Sequence, residues 1–141
     1  TRVGYQIGLV LSDPYRGRMD DIRAAMDRVA ALHQIPYTRG KKSKMLDLDR
    51  TLSSHELVSG EGLGCDCLLV LDTRCDNDGA LRPEIVLAAL DRILVGGSLG
   101  EEPIDSRGIQ DLVAISSYRP ERVYQSIDVD GVLHDPLFGT R

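Results

Sequence analysis

Aromatic residues are scarce in this chain: no Trp, one Phe and five Tyr among 141 residues. The core must therefore be aliphatic, and a surface that stacks unpaired bases is short of rings. Lysine is also scarce. All three lysines fall in one segment, Arg39-Gly40-Lys41-Lys42-Ser43-Lys44, which reads as a solvated loop or a local anion contact. The net charge of −5 disfavours broad contact with a nucleic-acid backbone. That charge is uneven. Residues 1–70 carry ten Lys/Arg against nine Asp/Glu, whereas residues 71–141 carry seven against thirteen.

No apolar run approaches the length of a membrane span, so no membrane partner is expected. Three cysteines make an odd count, and no secretory apolar segment opens the sequence. Both point to a reducing cytoplasm rather than a disulfide scaffold. The chain starts at Thr1 rather than Met, as a processed or excised piece of a longer protein would. Cys65, Cys67, Cys75, His33, His55 and His134 show no zinc-ligand spacing, and no metal is expected. Asp76-Asn77-Asp78-Gly79 lacks the spacing and closing Glu of an EF-hand and reads as a turn. No nucleophile elbow or metalloprotease motif is present.

An apolar fraction of 42% and a length of 141 residues suit one globular domain spanning residues 1–141. Val3 to Leu11 reads as a strand. Met19, Ile22, Met26, Val29 and His33 then mark one face of an amphipathic helix. Ile35 to Thr38 suits a short strand, and Met45, Leu48 and Leu52 suit a helix. Cys65 to Leu71, apolar almost throughout, has the look of a central parallel strand. Pro83 fits the first position of a helix running to Asp91, and Ile93 to Val95 reads as the next strand. Asp105 then opens a further helix, which Tyr118-Arg119-Pro120 breaks. A terminal hairpin turns at Asp130-Gly131. Strands alternating with helices predict an α/β fold: a single three-layer domain, mainly a parallel sheet, with helices on both faces and a C-terminal hairpin. The hairpin edge, Val123 to His134, offers a pairing surface for a homo-oligomer.

Two loops are the candidate sites. Gly96, Gly97 and Gly100 follow the strand expected at Ile93–Val95, where backbone can approach a ligand closely. Glu101 and Glu102 repel phosphate, which favours a neutral or cationic ligand there. The other loop, Ser12 to Arg18, follows the first strand. Asp13 is a candidate base or hydroxyl binder, and Arg16 and Arg18 suit a carboxylate or phosphate.

Residues 67–107 also carry a recognisable series: Leu71-Asp72, Pro83-Glu84, Asp91, Gly96-Gly97-Ser98-Leu99-Gly100-Glu101-Glu102-Pro103 and Arg107. This series resembles the predicted RNA methyltransferase and protein-arginine methyltransferase branch of the SPOUT superfamily. The resemblance implies a knotted glycine loop holding S-adenosylmethionine. Asp72, Gly96, Gly97, Leu99 and Gly100 would contact the cofactor, and Glu101 and Arg107 would handle the acceptor. The family's downstream knot-completing segment has no counterpart after Gly108. Three readings follow. One is a methyltransferase-like enzyme, and another is a non-catalytic assembly domain. The third is a nucleotide- or sugar-phosphate-binding enzyme using Asp13, Arg16 and Arg18.

Overall fold

A computed structural model of the chain describes residues 1–76, 79–97, 102–105, 112–129 and 132–134. Strand β1 (Arg2–Leu11) leads through a short 3-10 turn at Asp13–Tyr15 into helix α1 (Met19–Ala30). A hairpin of β2 (Gln34–Arg39) and β3 (Lys42–Asp47) follows, then the single turn α2 (Leu48–Thr51) and β4 (Leu52–Ser59). Strand β5 (Cys67–Asp76) and a two-residue β6 (Gly79–Ala80) precede α3 (Pro83–Leu94). The chain then forms β7 (Ile104–Asp105), the long β8 (Ile115–Val129) and β9 (Val132–His134).

The main sheet has the order β4-β5-β1-β8-β9, and β6 pairs β5. Every pairing in it is antiparallel. A second, three-stranded sheet has the order β3-β2-β7, and only its β2–β7 pair is parallel. The expected mainly parallel three-layer domain, with helices on both faces, is therefore not the fold. The connectivity accounts for the difference. The connections that contain α1 and α3 do join two parallel strands each, β1 to β4 and β5 to β8. In both cases an antiparallel strand lies between the pair that is joined. This is the split β-α-β arrangement, β-α-β-β-α-β, termed ferredoxin-like. Here β2, β3 and α2 are inserted after α1.

Burial explains why the strands looked parallel. Ile7, Leu9 and Leu11 of β1 and Cys67, Leu69 and Leu71 of β5 are buried on one face. Ile22, Ala25, Met26 and Val29 of α1, with Ile85, Val86, Ala89 and Leu90 of α3, belong to the same core. The two helices contact each other over that face. The alternate residues Val10, Leu68 and Val70 are half-buried on the face that no described helix covers. Both faces of β5 are thus apolar, although only one is covered.

Three local expectations also change. Ile93 and Leu94 are the last turn of α3, not a strand, and Val95 is its C-cap. Residues 42–47 form a strand rather than part of a helix. Gly40, at φ 62°, and Lys41 make a two-residue hairpin turn that brings Arg39 opposite Lys42. A positive φ at the first turn position alone is the type II′ geometry, which asks for glycine there. Tyr118-Arg119-Pro120 lies inside β8 rather than breaking a helix, and Pro120 is opposite Ile7. β9 joins β8 only from Ile127 onward, so at Pro120 the strand has β1 on one side alone. A strand edge is where a residue without an N–H is tolerated. Residues 104–105 form a short strand, and Ile109 lies outside the described residues.

Candidate functional site

The glycine run has a structural role in its described part. The Gly97 N–H donates to the Arg92 carbonyl at 2.8 Å, and the Gly96 N–H to the Ile93 carbonyl at 3.0 Å. With Val95 as C-cap and Gly96 at φ 86°, these are the two bonds of a Schellman motif. A Cβ on Gly97 would lie 2.7 Å from Arg92 Cγ and 2.9 Å from the Arg92 oxygen. Both glycines are accounted for by ending α3. Leu99, Gly100, Glu101 and Arg107 lie outside the described residues.

The Ser12–Arg18 loop leaves the same end of the sheet. Asp91, in the last turn of α3, accepts the N–H groups of Val113 at 3.0 Å and Ile115 at 2.8 Å. The Ser12 N–H donates to the Ala114 carbonyl at 2.9 Å. The start of β8 thereby ties the end of α3 to the end of β1. Within the loop the arginines hold the turn together. Arg16 Nε donates to the Leu11 carbonyl at 3.2 Å and lies 3.8 Å from Asp66 Oδ2. Its Nη1 is 3.4 Å from Asp13 Oδ1. Arg18 pairs with Asp21 at 2.8 Å and lies over the Tyr15 ring. Asp13 is almost fully exposed and caps nothing. Asp72 sits apart from both loops. It pairs with Arg2 and lies opposite Gly4, seven residues up β1 from Leu11. At ~3.3 Å per residue that is roughly 23 Å away along the strand.

Two of the cavities among the described residues carry cationic side chains in their lining. One is a hollow of about 410 Å³ on the uncovered sheet face, lined by Gln6, Gly8, Val10, Cys65, Arg119 and Glu121 among others. Its two charges lie side by side, with Arg119 Nε 3.8 Å from Glu121 Oε1, so they largely cancel. Neighbouring Cys67 is buried. Burial first, then the negative charges of Asp66 and Cys65, push its thiol up to about 12, which makes it a poor nucleophile.

The other cavity has a single dominant charge. It holds about 390 Å³ between the inserted hairpin and the start of α3. Arg39, Lys44, Arg50 and Arg82 line it, with Asp47 as the one carboxylate among the described residues of the lining. Cross-strand pairing builds its wall. Ile35 faces Leu46, Tyr37 faces Lys44 and Arg39 faces Lys42, so this face of the hairpin runs from apolar to cationic. Arg82 lies over the buried Tyr37 ring, 5.9 Å from its centroid, and its Nη1 is 3.5 Å from Glu84 Oε1. Asp47 caps α2, accepting the Arg50 N–H at 3.3 Å, and its carbonyl accepts the Thr51 hydroxyl at 2.6 Å. The basic segment at 39–44 signalled this site in the sequence. Arg50 and Arg82 gave no such signal, because only the fold carries them to it.

Among the described residues no group of three side chains could hold a metal ion, and no helix is long and apolar enough to cross a membrane. The chain matches no protein-family model, no curated protein and no solved structure.

Proposed function

We propose that this chain is a binding domain for a small ligand bearing a phosphate or carboxylate group, held in the cleft between the β2–β3 hairpin and α3. The observation that carries this reading is the lining itself: four cationic side chains around one carboxylate. Guanidinium groups match phosphate and carboxylate oxygens in pairs, and a concave site strengthens each contact. The ligand class is that of the phosphate-binding reading above. The residues differ: Arg39, Lys44, Arg50 and Arg82 line one concave cleft, whereas Arg16 and Arg18 stand on their own exposed loop. An S-adenosylmethionine site would use Gly96 and Gly97, and both already serve to end α3.

Thermal unfolding with and without inorganic phosphate, at matched ionic strength, tests the reading. With phosphate at ten times a millimolar Kd, linkage gives about 1.4 kcal/mol of added stability. For a chain of this size that raises the midpoint by roughly 3–5 °C. The shift should vanish in the double variant Lys44→Gln, Arg82→Gln. A wild-type midpoint that phosphate leaves where chloride does would overturn the proposal.

A further inference from the structure

The cations of the hairpin, together with Arg82 at the N-cap of α3, fall in two rows. The inner row is Lys44, with Arg82 lying over Tyr37, the residue opposite Lys44. The outer row is Arg39, which lines the cleft, opposite Lys42, which stands on the same hairpin face beyond the lining. Residues two apart on a strand share a face, so both rows point the same way. Two steps of ~3.4 Å put the rows roughly 7 Å apart. The Gly40-Lys41 turn fixes the register, so Arg39 and Lys42 stand directly opposed. Like charges in that position oppose each other and destabilise the pairing, and a bound anion removes the penalty.

We infer that the ligand of this cleft is a small bisphosphate, with one phosphate on the Lys44–Arg82 row and the other on the Arg39–Lys42 row. This inference rests on the anion-binding reading given above. A cavity of about 390 Å³ is far larger than one phosphate needs and has room for a connecting body such as a sugar. Pyrophosphate is too short, because its phosphorus atoms share one bridging oxygen. A nucleic-acid strand also carries repeated phosphates. Such a strand relies on exposed rings for stacking, and the ring at this site, Tyr37, is buried beneath Arg82.

Calorimetric titration of the whole chain at low ionic strength separates the possibilities. The probes are a hexose 1,6-bisphosphate, a hexose 6-phosphate, pyrophosphate and a short oligothymidylate. The bisphosphate should bind roughly tenfold or more tightly than the monophosphate and than pyrophosphate. Lys42→Gln, on an exposed strand end, should cut that advantage to less than about threefold, with far-UV circular dichroism confirming the fold. Equal affinities for mono- and bisphosphate, with binding still lost in Lys44→Gln, would overturn this inference and leave the anion site standing. A bisphosphate advantage that persists in Lys42→Gln would overturn the two-row assignment. Tighter binding of the oligonucleotide would overturn the ligand class. No binding of any probe would overturn both readings.

Discussion

Replacing Asp91 should loosen the junction that closes the main sheet. The residue is only 4% exposed, and its carboxylate accepts two backbone N–H groups, from Val113 and Ile115. A hydrogen bond to a charged group contributes roughly 1.5–3 kcal/mol. The two bonds are not equal. Ile115 is 1% exposed, so its N–H would lose this acceptor in a buried place. Val113 is 61% exposed, so its N–H can turn to water instead. Removing the carboxylate also relieves the cost of burying it. Asp91→Ala should therefore cost about 3 kcal/mol, toward the lower end of the sum of two such bonds. For a chain of this size that is roughly 6–12 °C in the unfolding midpoint. Asp91→Asn keeps one acceptor oxygen and should cost about half as much. Urea unfolding followed by circular dichroism measures the free energies. Amide exchange at Ile115 should quicken ahead of the rest of β8. A loss below about 0.5 kcal/mol in Asp91→Ala would refute this account of the junction.

Two further substitutions test other contacts. A Cβ on Gly60 would lie 2.4 Å from the Cys65 oxygen and 2.8 Å from its carbonyl carbon, both backbone atoms. Gly60→Ala should cost roughly 1–3 kcal/mol in thermal unfolding, and a neutral result would show that the 60–66 turn can shift freely. His33 Nδ1 lies 2.9 Å from Asp49 Oδ1, and that hydrogen bond, with the carboxylate's charge, raises the imidazole above its ordinary 6.5. A raised folded-state value means stability present below about pH 6.5 and lost as pH rises through the folded-state value. In Asp49→Asn the His33 titration, followed by NMR, should fall back toward 6.5, and an unchanged curve would refute the pairing.

Local patterns were legible where a single element settles the outcome. The spacing of Met19, Ile22, Met26, Val29 and His33 predicts α1, and α1 spans Met19–Ala30 with Ile22, Met26 and Val29 buried, so the helix ends before His33. The dense aliphatics at 3–11 predict β1, and Pro83 opens α3. Residues 93–95 were not legible. Short apolar runs suit strand and helix equally, and the two glycines fit a helix end as well as a strand end. Residues 42–47 were missed because Lys42, Ser43, Lys44 and Met45 are exposed, so no alternation marked them as a strand.

The sequence by itself determined the aliphatic core, most of the α1 face and the basic segment at 39–44. Each follows from the chemistry of residues close together in the chain. Only the tertiary structure decided that the main sheet is antiparallel, because strand direction depends on which strand is inserted between the two that a helix joins. It also turned the basic segment into one wall of a cleft, by bringing Arg50 and Arg82 to it across chain separations that no local pattern records.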